Sequence, residues 1–264
     1  MSRTERDVRI DLAAAFRLSA QRGWDDTVYT HISAAVPSAA VPSAAVLSAA
    51  APSAEATHEP GSYLINRFGD RFDEITASSL VKVNTRGEVV DGSGARVNPS
   101  GFAIHGAVHA ARPELECVVH LHTPAGVALA MLPGGLLPTS QWAMRLFGRL
   151  GRHAYEGLAL GSAEQARLVA NLGTLDGLIL ENHGPLTVGR SVAEAWMLMY
   201  LLDRAAQAQL SAMAASGGRV RFVSDELAAL TYRQWVGDGS ERDGDIEWPA
   251  LLRGLDRTDP SYRD

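Results

Sequence analysis

The chain has 264 residues, 46% of them hydrophobic and 20% charged, with a formal net charge of -6. That length can bury a full core, and the acidic balance leaves no basic footprint for nucleic acid. Every apolar run breaks well before about 18 residues, so no membrane span is expected.

MSRTERDVRIDLAAAF alternates charged and apolar residues as an amphipathic helix does, without the uninterrupted apolar stretch of a signal peptide. The periodicity predicts a helix over residues 6–22, capped by Gly23. DTVYTHISAAVP then has the β-branched, alternating character of a strand. From Ser33 a five-residue repeat of the SAAVP type runs to Thr57. Recurrent proline forbids a helix and Ala/Ser supplies no core, so residues 38–60 are expected to be a flexible insertion at a hairpin tip. GSYLINRFG reads as the returning strand.

Next come a short helix at ITASSL, a strand at LVKVN, a turn at Thr85-Arg86-Gly87 and a strand at EVVDG. Pro99 and Ser100 open a helix running to Arg112. LECVVHLHT is a strand in which Cys117, the only cysteine, reads as core filler. A lone cysteine excludes an internal disulfide and makes the cytoplasm the simplest location. Helices follow at PAGVALAML and SAEQARLVANLG, and GLILENHG is a buried strand. A long helix starts at Ser191, placed three residues before Glu194 as in a capping box. Beyond Ala215 a helix over 224–236 and a loose tail are expected. The mixture without strict βαβ alternation predicts one α/β domain with a mostly antiparallel or mixed sheet and helices on both faces.

Histidines gather where strands end: His120 and His122 in VVHLHTP, and His183 in ILENHGP. Alternate strand residues share a face, so the first two project side by side. A third imidazole from a neighbouring strand completes one face of a divalent ion, leaving an open position. The alternative is three histidines satisfied by backbone groups.

The succession THIS, LINRFGDRFDEITASSLVKV, VNPSGFAIHGAVHAARPELECVVHLHTPAG and GLILENHGPLTVGRSVAEAWMLMYLLDRAAQAQ resembles the class II aldolase/adducin family. The resemblance runs from about Asp7 to Ala215, broken mainly by the insertion, with 216–264 as a C-terminal extension. It implies an α/β/α sandwich with a central, mostly antiparallel sheet, usually a homotetramer with active sites between subunits. By the same resemblance His120, His122 and His183 match the metal ligands, for Zn²⁺ foremost and Fe²⁺ as the alternative.

The family's aldolases carry a carboxylate after Pro-Ser, where this chain has Gly101. Their proton-donating tyrosine falls near Trp142, and their phosphate loops correspond to Thr30-His31-Ile32-Ser33, Phe68-Gly69 and Pro99-Ser100-Gly101. Ser33, Ser100, Gly101 and Trp142 are therefore the expected substrate-side residues, for a small molecule without a secure phosphate site. His105, one helical turn beyond Gly101, is a candidate for the missing acid/base group, as are His31, Tyr155 and Tyr232. His109 is expected as part of a polar helix stripe, and Asn182 as the residue shaping the turn before Gly184. His153 and His58 are expected to be solvated. Three readings remain open: a metal-dependent lyase or isomerase stabilising an enediolate, a non-haem iron oxygenase, and a non-catalytic adducin-like assembly module.

Overall fold

A computed structural model describes residues 3–37, 61–84, 86–157 and 162–264. Helix α1 spans Glu5–Ala20 and starts at a capping box, in which the Thr4 hydroxyl accepts from the Asp7 N–H and the Asp7 carboxylate accepts from the Thr4 N–H. The strands are β1 (His31–Ala35), β2 (Tyr63–Ile65), β3 (Val81–Val83), β4 (Cys117–His120), β5 (Leu150–His153), β6 (Gly177–Leu180) and β7 (Gly184–Gly189). Between and after them lie α2 (Pro99–Ala111), α3 (Pro124–Ala130), α4 (Gln141–Arg145), α5 (Ser162–Leu172), α6 (Val192–Ser216), α7 (Asp225–Val236) and α8 (Glu247–Thr258).

The sheet runs β3-β2-β1-β4-β7-β6-β5, antiparallel except for the β5–β6 pair. Its alternation sorts side chains into two layers. Ile32, Ala34, Cys117 and Val119 pack with Leu12, Phe16 and Trp196 from α1 and α6. Val118, Leu178, Leu186 and Val188 face Ile104, Val108, Leu168 and Leu172 from α2 and α5. The architecture is the expected α/β/α sandwich. Cys117 is fully buried in the first layer, and burial pushes its thiol pKa well above the ordinary value.

β1 and β2 pair antiparallel on either side of the insertion: Ala35 pairs with Tyr63, and the Val36 N–H donates to the Ser62 carbonyl at 2.9 Å. The insertion itself, including His58, lies outside the described residues, as does Thr85 of the predicted turn.

Several expectations are corrected. ITASSL is not a helix; a 3₁₀ turn at Phe72–Glu74 precedes it, and Ser79 and Thr76 bond one another's backbone instead of continuing a helix. EVVDG contributes only the isolated bridge Val83–Val89. GLILENHG is a strand that ends at Leu180, and the chain turns back through Glu181–His183 into β7, which the Gly-Pro start concealed. The C-terminal tail is not loose. Trp248, Leu255 and Tyr262 are buried in the α1/α6 layer, and the buried Arg17 guanidinium bonds both the Ile75 carbonyl and Asp259, each at 2.8 Å.

Candidate metal centre

His31 and His120 are direct partners across the β1–β4 ladder, so their side chains leave the sheet on the same face, the one covered by α2. β4 ends at His120; His122 lies two residues past the strand, after the buried Leu121. His183 comes from the β6–β7 turn, where Asn182 adopts a left-handed conformation (φ 54°), the role expected of it. Gly184 lets that turn approach β4: a Cβ there would stand 3.1 Å from the Leu121 carbonyl oxygen.

The end of β4 and the β6–β7 turn bring His120, His122 and His183 together. The Nε2 atoms of His120 and His183 are 3.2 Å apart, and those of His122 and His120 also 3.2 Å. The outer nitrogens of His120 and His122 are engaged elsewhere. His120 Nδ1 donates to the Pro185 carbonyl at 3.0 Å, and His122 Nδ1 donates to the Asp26 carboxylate at 2.9 Å. With Nδ1 protonated in both rings, each Nε2 presents a lone pair to the other. A cation relieves that opposition. Ligand bonds of about 2.0–2.1 Å in tetrahedral array place nitrogens roughly 3.3 Å apart, so the spacing fits a divalent ion. Burial holds His120 neutral, its pKa well below the ordinary value, with His183 and His122 adding to the shift. Burial, then the neighbouring His122, brings His183 down to about 4. Neutral imidazoles are the ligating form.

Outside the three rings, a cleft of about 550 Å³ is lined by His122, His183, Asp25, Asp26 and the apolar Val127 and Met131. Asp26 escaped the sequence reading because two aspartates after a helix look like an ordinary solvated loop.

On the interior side, a file of imidazoles runs from the centre into the α2 layer. The His31 ring centroid is 5.7 Å from that of His120 and 4.6 Å from that of His105. The Ser33 hydroxyl lies between His105 Nδ1 at 2.6 Å and His109 Nε2 at 2.8 Å, and Tyr63 stacks on His109 at 4.7 Å. His31 and His109 are brought down to about 3 by burial, with the histidines of the centre contributing for His31. Both His31 nitrogens and His105 Nε2 are buried without a hydrogen-bond partner among the described residues.

The other expected site residues are dispersed. Gly101 opens α2 against the His31 ring: a Cβ there would overlap His31 Cδ2 and stand 2.5 Å from its Nε2. Ser33 is fully buried, its oxygen taken by the two imidazoles, which removes it from the cleft. Ser100 lies in α2, its side chain outside the described set. Tyr155 is exposed and shares a small crevice with His183 and Glu181. Tyr232 sits in a different groove beside Arg149 and Trp235, and Trp142 lies under Arg204; neither lines the histidine cleft. His153 is buried at the end of β5 with Nδ1 bonded to Asn171, not solvated.

The sequence profile described as Class II Aldolase and Adducin N-terminal domain matches residues 10–210. A Pseudomonas aeruginosa protein, named provisionally as an aldolase class 2 protein, is 42% identical across 100% of this chain and 94% of its own length. Rat alpha-adducin is 36% identical over 98% of this chain, which spans 35% of adducin's length. Among solved structures, an aldolase II superfamily protein from Pseudomonas syringae superposes with a TM-score of 0.87 at 40% identity, covering 100% of this chain and 98% of that one. L-fuculose 1-phosphate aldolase from Glaciozyma antarctica PI12 gives 0.79 at 28% identity, over 98% and 93% of the two chains. The chain belongs to the class II aldolase and adducin family.

Proposed function

We infer that the chain is a divalent-metal-dependent lyase or isomerase acting on a small hydroxy-carbonyl compound, with acid/base residues unlike those of the sugar-phosphate aldolases. The observation that carries this is the convergence of three Nε2 atoms, with the tautomers of His120 and His122 set by Pro185 and Asp26. A bound divalent ion, Zn²⁺ first and Fe²⁺ second, would supply Lewis-acid polarisation of the substrate's oxygens.

The remaining work falls to the chain. His120, His122 and His183 fix the ion at the cleft floor. His31, one strand away from His120 and on the same face, is the candidate acid/base group on the interior side. Tyr155, which shares a small crevice with His183, is the candidate proton donor. His105 holds a fixed hydrogen bond to Ser33 and orients the file behind His31. Asp25 and Asp26 at the cleft mouth disfavour a phosphorylated substrate and favour an uncharged one. The lone thiol and the family resemblance support a cytoplasmic homotetramer, with the whole chain as one unit since the C-terminal helix shares its core with α1.

Elemental analysis of protein purified without added metal, followed by retro-aldol and epimerisation assays, tests the reading. The assays compare L-fuculose 1-phosphate with unphosphorylated hydroxy-aldehydes and hydroxy-ketones. About one divalent ion per chain and a turnover abolished by chelator are expected. A metal-free protein whose melting temperature does not respond to Zn²⁺, Fe²⁺ or Mn²⁺ would overturn it and leave an assembly role like that of the adducin relatives. Iron with O₂ consumption in place of cleavage would move the chemistry to oxygenation.

A further inference from the structure

We propose that Asp26 is a positioning residue of the histidine centre: its carboxylate holds His122 in the tautomer and orientation that aims Nε2 at the ion. This rests on the reading of the three histidines as a metal centre.

The three histidines are not held equally. His120 is inside the sheet, buried, and bonded to a backbone carbonyl of the neighbouring strand. His122 lies past the strand end with a quarter of its side chain exposed, and its hydrogen-bonding partners apart from His120 reduce to Asp26, 96 residues away in sequence. Without that carboxylate, nothing among the described contacts selects Nδ1–H over Nε2–H. A ring protonated on Nε2 cannot ligate through it.

The loop that delivers Asp26 is built to keep its place. On one side Trp24 is buried against Trp196, ring centroids 5.4 Å apart, and its N–H donates to the Ser19 carbonyl at 3.1 Å. On the other side the chain enters β1. Between them the Asp26 carbonyl accepts from the Tyr29 N–H at 2.9 Å and from the Thr27 hydroxyl at 2.7 Å. Thr27 has φ 51°, a left-handed conformation that a β-branched residue rarely adopts. Such a conformation persists only where the surroundings over-determine it, and it concentrates at sites where position matters. The turn that contains it begins at Asp26, whose carboxylate bonds His122.

A half-exposed polar contact on an ordinary surface contributes little and does not influence a remote equilibrium. A carboxylate bonded to the outer nitrogen of a metal-binding imidazole does: it fixes the ring and raises its basicity, and its loss typically weakens metal binding by about 10–100-fold.

Zn²⁺ affinity is measured by competition with a chromophoric chelator for the wild type, Asp26→Ala, Asp26→Asn and Asp26→Glu. The His122 tautomer is read from ¹⁵N shifts of the metal-free proteins. Asp26→Ala is expected to bind Zn²⁺ about 10–100-fold more weakly, with His122 shifting from Nδ1–H toward a tautomer mixture. Asp26→Glu recovers part of the loss. Asp26→Asn keeps an accepting oxygen without the charge, so it retains the tautomer with intermediate affinity and serves if the alanine variant folds poorly. Equal Zn²⁺ affinity in wild type and Asp26→Ala, or an unchanged His122 tautomer, overturns the proposal. A wild type that binds no metal defeats the metal reading instead, and the tautomer measurement still judges Asp26 by itself.

Discussion

The ring of His31 occupies the space into which any side chain at position 101 would project, with Nε2 2.5 Å from where a Cβ would be. The two positions are 70 residues apart in sequence, on β1 and at the start of α2, and they are sterically one unit. A carboxylate cannot be restored at 101 while His31 keeps its place. Gly101→Ala forces the imidazole out of a fully enclosed niche, and overpacking of this kind costs about 1–3 kcal/mol. Gly101→Ala is expected to lower the urea midpoint, and His31→Ala in the same chain to recover much of the loss, giving a non-additive cycle. Additive effects would show that the two side chains do not share the space. Gly101→Glu alone is expected to add no aldolase turnover.

Removing a histidine of the centre separates ligand from neighbour. His120→Ala and His183→Ala should each bring bound divalent metal to a small fraction of the wild-type content. The melting-temperature increase that added Zn²⁺ gives the wild type should also vanish, since a ligand stabilises only the state it binds. His153→Ala, a buried histidine outside the triad, should leave metal content unchanged. Scanning fluorimetry with and without chelator reads both. Retention of metal by His120→Ala would contradict the assignment.

What the residue string disclosed follows from what its physics is local to. Two imidazoles in an apolar strand are conspicuous because nothing in strand packing calls for them, so His120, His122 and His183 were legible together with the ordered motifs that imply the sandwich. The Gly101–His31 niche was not, because it is a relation between a strand and a helix that no periodicity encodes. β7 was hidden by its Gly-Pro start, and β5 by LGRH, a short run with a glycine and two polar residues that shows no apolar alternation. The C-terminal helix did carry a signal, with Trp248, Leu251, Leu252 and Leu255 at helical spacing on one face, but Pro249 and Gly254 masked it. His153 looked solvated because its neighbours in sequence are polar, whereas tertiary packing buries it.

The buried imidazoles are expected to make the fold acid-sensitive. Burial lowers His109 from the ordinary 6.5 to about 3, and it pushes His105 well below the ordinary value. A group with a depressed folded pKa binds fewer protons folded than unfolded. Its contribution is therefore fully present above the unfolded pKa and is lost as pH falls from about 6.5 toward the folded value. Each such histidine adds a slope of about 1.4 kcal/mol per pH unit across that window. Urea unfolding of chelator-treated protein between pH 7.5 and 4.5 should show stability declining with pH. His109→Phe should reduce the slope by about one proton. A flat profile, or the same slope in His109→Phe, would place the uptake elsewhere.

The C-terminal segment is expected to behave as core. Tyr262 is fully buried, its hydroxyl donating to Asp256 at 2.8 Å while its carbonyl accepts from the Ala77 N–H at 2.9 Å. Trp248 packs on Trp196 with ring centroids 5.8 Å apart, and its indole N–H donates to Asp11 of α1 at 2.9 Å. Trp196 in turn contacts Trp24, which anchors the loop carrying Asp26. Truncating a buried aromatic of this size costs about 3–5 kcal/mol. Trp248→Ala should therefore lower global stability by that amount in urea unfolding and weaken metal binding only slightly in the protein that remains folded. Leu230→Ala, on the exposed face of α7, should change stability by less than about 0.5 kcal/mol. A Trp248→Ala protein as stable as the wild type would mean that the segment after α7 is an appendage and that α1 closes the layer without it.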